Sequence, residues 1–294
     1  VKKRILLVGV HGQLGSDLKL ALSHHEVIGT THQELDVVLF EQVQETVRIH
    51  QPQVIINTSA FHRVDVCETE VMRAFEVNAY GVRNLALAAR DVDAALLHFS
   101  TDYVFEGNAR QPYTENDPPN PVNIYGVSKL AGEKILRYLW EKSFVIRTCG
   151  LYGHAGSSGK GSNFIEMMLK KAQNQEPIRV VDDQHLTPTS TRELSRKVAQ
   201  LIETDHYGLY HITSNGECSW FEFARKIFEL QGIRADLAPT SSREFKSAAK
   251  RPAYSVLANA RLQQWGMDDL KPWEVALQEY LENRPHIHIK PHRL

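Results

Sequence analysis

Tyr125 and Lys129, four positions apart, are the residues of this chain best suited to moving a proton. On a helix they stand one above the other on one face. An unperturbed phenol has a pKa of about 10, too high for easy exchange near neutrality. A cation beside it favours the phenolate and lowers that value. A tyrosine tuned in this way can protonate a developing oxyanion or take the proton of an alcohol. Thr101 stands upstream, at the end of the apolar run Ala95-Leu96-Leu97-His98-Phe99. Its hydroxyl can bond a substrate carbonyl, or equally well its own backbone. Taken alone, a tyrosine–lysine pair is a common coincidence in helices, so the surrounding elements must supply the case.

The first of these elements is Ile5-Leu6-Leu7-Val8, a fully apolar run expected of a buried parallel strand. It leads into Gly9-Val10-His11-Gly12-Gln13-Leu14-Gly15 and then a helical pattern with Leu14, Leu18, Ala21 and Leu22 on one face. Strand, glycine turn and helix make a phosphate-binding context. Glycines let the backbone come close, and the helix start offers N–H groups and a positive dipole end. The spacing is G-x-x-G-x-x-G rather than the commoner G-x-G-x-x-G. The pattern predicts dinucleotide binding at residues 9–15.

Val27-Ile28-Gly29-Thr30 reads as a second strand, followed by Thr31 and His32. A carboxylate at that strand end would bind the ribose of NAD. None stands there to repel a 2′-phosphate, and no arginine stands there to demand one, so NADPH and NADH both remain open. Asp36 suits either an adenine contact or a local cap. Val54-Ile55-Ile56-Asn57 is a third buried strand, and the small residues Thr58, Ser59 and Ala60 at its end leave room for a cofactor. A helix is expected over residues 70–89, with Phe75, Asn78, Val82, Leu85 and Ala89 on one face. Asn78, if buried, must cap a local backbone group or order water near the active site. Residues 106–123 form a loop that Pro118, Pro119 and Pro121 keep from being helical. The helix carrying Tyr125 follows, and then the strand Phe144-Val145-Ile146-Arg147.

Residues 153–162 are rich in glycine and serine and suit a segment closing over a ligand. Beyond it the alternation of strand and helix is less regular. The expected organisation is a cofactor-binding domain over residues 1–150. Residues 151–294 are then mainly a smaller α/β substrate lobe, with some segments returning to the first domain.

The chain has 294 residues and a formal net charge of −1, which gives no electrostatic case for nucleic acid or an anionic membrane. Cys67, Cys149 and Cys218 form no zinc pattern and no disulfide framework. No apolar run reaches the roughly 18 residues of a membrane span. Residues 1–4 lead straight into a strand rather than a signal peptide, so the expected location is cytoplasmic. The histidines of the tail, 286–292, invite a metal reading, but a loose terminus is the better one. No resident metal is expected from the residues.

Several of these motifs agree in order and spacing with the extended short-chain dehydrogenase/reductase superfamily, which the chain resembles. Gly9, Gly12 and Gly15 match its cofactor loop, and residues 77–85 its V-N-x-x-G-x-x-N-L helix. Thr101, Tyr125 and Lys129 match its catalytic set, and Arg147 with Tyr152-Gly153 its later segment. Within the superfamily the chain is similar to the dTDP-4-dehydrorhamnose reductase family. The likeness spans nearly the whole chain, most tellingly Ser100-Thr101-Asp102-Tyr103-Val104-Phe105 and Tyr125-Gly126-Val127-Ser128-Lys129-Leu130-Ala131-Gly132-Glu133.

The resemblance implies a Rossmann-type doubly wound parallel sheet and hydride delivery from NADPH or NADH to C4 of dTDP-4-dehydro-6-deoxy-L-mannose. Tyr125 would supply the proton. Lys129 would hold the nicotinamide ribose and lower the tyrosine pKa, and Thr101 would bond the C4 oxygen. The implied cofactor set is Gly9, His11, Gly12, Gln13, Leu14, Gly15, Asp36, Thr58, Ser59, Ala60 and Asn78, with Tyr125 and Lys129. The implied substrate set is Val64, Thr101, Asp102, Phe105, Tyr125 and Asn163. Gly150 departs from the family, standing where many members carry a tryptophan that packs on the sugar. Some members form a homodimer with Mg²⁺ held by glutamates. Glu279 and Glu282 are the only late candidates here, so dimer and metal stay open. The alternatives are another nucleotide-sugar ketoreductase, epimerase or dehydratase, or an NADP-binding regulatory subunit like the β subunit of methionine adenosyltransferase.

Overall fold

A computed structural model describes residues 1–155, 162–245 and 247–284. Positions 156–161 of the expected closing segment and the 286–292 tail, with its metal reading, lie outside the described residues. Six strands form the central sheet: β1 (Arg4–Val8), β2 (Glu26–Thr30), β3 (Val54–Asn57), β4 (Ala95–Thr101), β5 (Ser143–Thr148) and β6 (Gly208–His211). Their spatial order is β6-β5-β4-β3-β1-β2, and every pairing is parallel.

Side-chain alternation along β1 explains the two-layered packing. Ile5 and Leu7 join the core beneath helices Gln13–Ala21 and Thr191–Leu201. Leu6 and Val8 join the core beneath helices Phe40–His50, Gly81–Asp91 and Ile124–Leu139. With both faces covered, the strands read as continuous apolar runs. This is the doubly wound parallel sheet expected from the sequence. Strand order reverses at β1, with β2 on one side and β3 on the other. The crevice at the carboxyl ends of strands around such a reversal is where ligands bind in open α/β sheets.

Helix Thr191–Leu201 and strand β6 bring the second half of the chain back to the sheet. The remaining segments build a separate core from Ile165, Met168, Ile178, Phe223, Ile227, Trp273 and Leu277. Strands Ile178–Val181 and Leu237–Thr240 pair in parallel within it. Arg251 reaches back to the first half and clasps Asp65 at 2.7 Å and 3.2 Å. Among the described residues no helix is long and apolar enough to cross a membrane. Cys67, Cys149 and Cys218 are free and buried.

The expected helix over 70–89 is broken in a way periodicity does not show. It runs as Val71–Phe75, a π-helical turn Glu76–Tyr80, and Gly81–Asp91. The wider turn carries Asn78, which is fully buried against the Phe61 backbone and Ser128. Asn78 Oδ1 accepts from the Phe61 N–H at 2.9 Å, and Nδ2 donates to the Phe61 carbonyl at 3.1 Å and to Ser128 Oγ at 3.0 Å. Asn78 thus bonds backbone, but at Phe61, seventeen residues away, rather than a local group.

Candidate active site

The helix Ile124–Leu139 places Tyr125 and Lys129, and its start is doubly capped. Asn123 Oδ1 accepts from the Gly126 N–H at 2.8 Å, and Glu68 Oε1 accepts from the Ile124 N–H at 2.8 Å. These bonds satisfy donors that a helix start otherwise leaves open. Tyr125 and Lys129 then face a cavity of about 380 Å³, a volume typical of small-molecule sites. Thr101 and Asp102 line it from the end of β4. The Gly12–Gly15 turn and residues 58–60 line it from β1 and β3, and Val64 and Asn163 from further along.

Five expected residues lie off the lining. Gly9 sits behind the loop. His11 is exposed. Asp36 turns its Oδ1 to the Val38 N–H at 3.1 Å, a local turn bond. Asn78 is spent on Phe61 and Ser128, as above. Phe105 is fully buried, stacked on Tyr113 at 4.1 Å with Arg147 over its ring at 5.1 Å, so it supports β5 rather than touching the cavity. Asn163 is on the lining, yet its amide caps helix Phe164–Gln173 through the Glu166 N–H and bonds Tyr280 Oη at 3.0 Å.

The electrostatics differ from the simple lysine–tyrosine picture. Burial raises the Tyr125 pKa, the Asp102 carboxyl adds to the rise, and a hydrogen bond with Thr101 opposes it. Burial brings Lys129 down to about 7, with Glu133 pulling the other way. Lys129 Nζ donates to the Phe99 carbonyl at 2.6 Å and meets His98 Nε2 at 3.2 Å. Burial and Asp102, rather than Lys129, govern the shift at Tyr125 here. Thr101 Oγ1 donates to Asp102 Oδ1 at 3.0 Å, and Cys149 Sγ donates to Asp102 Oδ2 at 3.2 Å. Burial holds the Asp102 carboxyl above its usual range. For Thr101 to donate to a ketone, as the resemblance implied, its hydroxyl must turn from Asp102, or that carboxyl must take a proton.

The residues present fit a dinucleotide. Gly9 has φ +85°, and a Cβ on Gly15 would stand 2.2 Å from the Gly9 carbonyl oxygen, so the turn folds tightly only without side chains. No side chain caps the start of helix Gln13–Ala21, which leaves its first N–H groups for an anion. Gln13 Oε1, Ser100 Oγ and Thr148 Oγ1 are buried on the cavity lining and lack a hydrogen-bond partner among the described residues. At the end of β2 the expectation needs correction. Glu34 folds back to accept from the Thr31 N–H and hydroxyl, both at 2.8 Å, so a carboxylate does stand there.

Sequence reading also missed Trp220 and Phe164, whose rings lie 4.7 Å apart on the cavity wall. The signal was present: Ser219 and Glu222 form a capping box that starts the helix at Trp220. Gly150 also lines the cavity, at φ +55°, and a Cβ there would stand 2.9 Å from Leu186 Cδ1. A side chain there would need Leu186 to shift and would strain the left-handed backbone. Among the described residues the one cluster with metal-ligand spacing is His24, His25 and Glu203, off the cavity. Its His25 Nδ1 accepts from the Lys3 N–H at 3.2 Å, and Nε2 lies 3.0 Å from Glu203. Glu279 is ion-paired with Lys271 at 2.7 Å.

A family model described as "RmlD substrate binding domain" matches residues 3–285. The chain belongs to the RmlD family. This is a family of NAD(P)-dependent dTDP-sugar 4-ketoreductases. RmlD-type relatives include the spore coat polysaccharide biosynthesis protein SpsK of Bacillus subtilis, 38% identical over 96% of this chain and 98% of that one. The dTDP-4-dehydrorhamnose reductase of Streptomyces griseus is 37% identical over 95% and 93%. The crystal structure of dTDP-4-dehydrorhamnose reductase from Bacillus anthracis in complex with NADP superposes with a TM-score of 0.92. It is 38% identical and covers 96% of this chain and 99% of that one. The RmlD likeness extends over both the sheet and the smaller lobe.

Proposed function

We propose that this protein reduces the C4 ketone of dTDP-4-dehydro-6-deoxy-L-mannose to the alcohol of dTDP-L-rhamnose, using NADPH or NADH. The observation that carries this reading is that Thr101, Tyr125 and Lys129 line the same cavity as the Gly12–Gly15 turn. Proton donor and dinucleotide loop thus meet at one place.

The bound nicotinamide supplies the hydride. Gly12, Gln13, Leu14 and Gly15 would hold its diphosphate, with Thr58, Ser59 and Ala60 bordering it. Lys129 offers an N–H towards the ribose. Tyr125 gives its proton to the oxygen at C4 as negative charge develops there. Thr101 steers that oxygen towards the phenol. The raised Tyr125 pKa suits a donor that must hold its proton until the carbonyl is attacked. The sugar rests on the Trp220–Phe164 wall, in place of the tryptophan that Gly150 replaces.

The test is oxidation of NADPH and of NADH with enzymatically generated dTDP-4-dehydrorhamnose, the product being identified as dTDP-rhamnose. Tight cofactor binding without turnover would refute this substrate and favour another dTDP-4-keto sugar. Trp220→Ala is expected to raise KM for the sugar nucleotide about five- to tenfold, the worth of one aromatic contact, with little change in kcat. Steady-state kinetics at saturating cofactor checks it, and an unchanged KM would remove Trp220 from the sugar site.

A further inference from the structure

His98 on β4 is fully buried and takes no part in the reading above, yet its Nε2 meets Lys129 Nζ at 3.2 Å. Its protonation can be worked out from the groups around it. The Ser59 backbone N–H can only donate, and it meets Asn57 Oδ1 at 3.0 Å. The Ser59 hydroxyl donates to the same oxygen at 2.6 Å. Asn57 is thereby oriented with Nδ2, a pure donor, towards His98 Nδ1 at 3.1 Å. That ring nitrogen must accept, so a neutral imidazole carries its proton on Nε2. The Nε2–H then points at Lys129. An ammonium has no lone pair to receive it, whereas an amine has one.

We propose that Asn57 and His98 are positioning residues that hold Lys129 as an uncharged amine in the ligand-free protein and so keep the proton on Tyr125, ready for reduction. The inference rests on the ketoreductase reading for its purpose but not for its geometry. Burial acts in the same direction, depressing both Lys129 and His98. The other charged or titratable neighbours do not compete for Nζ. Glu133, one turn along the helix, is held by Arg147 from β5 at 2.9 Å and 2.7 Å. Asp102, Tyr103 and Cys67 face Tyr125 instead, and the two acids raise rather than lower its pKa. Once Lys129 is charged, His98 must move its proton to Nδ1 and Asn57 must flip, which breaks both bonds from Ser59 on the cavity lining.

The test uses the ligand-free full chain labelled with ¹⁵N/¹³C histidine and with ¹³Cε/¹⁵Nζ lysine. The His98 signals are assigned by their loss in His98→Gln, and those of Lys129 by their loss in Lys129→Met. NMR is expected to show the Nε2–H tautomer for His98 and an amine at Lys129 on the alkaline side of neutrality. In Asn57→Asp a carboxylate accepts from both Ser59 N–H and His98, which moves the imidazole proton to Nδ1 and charges Lys129. The Lys129 titration midpoint is expected to rise by about two units, and the basic limb of kcat/KM for ketone reduction to fall by about one. An Nδ1–H tautomer in the unsubstituted protein, or a charged Lys129 throughout that range, overturns the proposal even if Asn57→Asp fails to fold. Neither NMR readout involves the sugar nucleotide. Failure of the substrate assignment would leave them unchanged, and failure of the tautomer would leave turnover unexplained but intact.

Discussion

Tyr125→Phe is expected to cut kcat for ketone reduction by about 10²–10⁴-fold, and to leave the dissociation constants of NADPH and NADH within about twofold of the unsubstituted protein. The substitution removes one oxygen and little else. The ring keeps its edge-on contact with Tyr103, at 6.0 Å between centroids, and the Asn123 and Glu68 caps still fix the helix start. Lys129 is held by His98 and Phe99 rather than by the phenol, so its place does not depend on the hydroxyl. What disappears is the donor for the oxygen at C4. A loss of this size corresponds to about 3–5 kcal/mol of barrier, more than one neutral hydrogen bond contributes to folding. Steady-state turnover and fluorescence titration of cofactor, run on the same preparation, separate the two effects. Turnover within tenfold of the unsubstituted protein would mean that another group, such as the neighbouring Asp102, supplies the proton.

That prediction could be framed from sequence because the relevant signals are local. Residues 5–8, the glycine turn and the helix from Gln13 form one continuous pattern, and parallel strands buried on both faces leave an apolar run that is hard to misread. The Tyr125–Lys129 spacing survives because a capped helix of sixteen residues has one geometry. What sequence did not reveal depends on contacts between distant segments. The π turn at Glu76–Tyr80 forms where Asn78 meets Phe61 and Ser128, partners seventeen and fifty residues away. Phe105 is aromatic and follows Thr101 closely, yet the strand end turns through Asp102–Val104 and sends the ring under Arg147. His98 sits in an apolar strand whose alternation says which face it occupies, not that Asn57 and Lys129 flank it. Glu34 is four residues past β2 in sequence but returns to Thr31 through two hydrogen bonds, so inspection of the strand end alone overlooked it. The shift at Tyr125 was hidden for the same reason, since burial and Asp102 govern it. Spacing places a cation near the phenol, while burial and His98 decide whether it is a cation.

Glu133→Ala is expected to lower the unfolding free energy by about 3–5 kcal/mol, the usual result of leaving one charge of a buried pair without its partner. Arg147 and Glu133 side chains are each 3% exposed and meet through two parallel hydrogen bonds. Nε and Nη2 of Arg147 make these bonds, Nη1 has no hydrogen-bond partner among the described residues, and the Phe105 ring below is no substitute for a carboxylate. Urea denaturation followed by tryptophan fluorescence measures the loss. The paired change Glu133→Leu with Arg147→Met should recover much of it, because both desolvation penalties then vanish together. A loss below about 1 kcal/mol in Glu133→Ala would show that water reaches the guanidinium. The pair also bears on the chemistry, since Glu133 is the one charge that favours the ammonium form of Lys129. Glu133→Gln keeps the shape but removes that charge, so the Lys129 midpoint should fall below about 7, deepening the uncharged state rather than relieving it. A midpoint that instead rises would mean that Glu133 does not act on Lys129 through its negative charge, and the link from this ion pair to the lysine would fall.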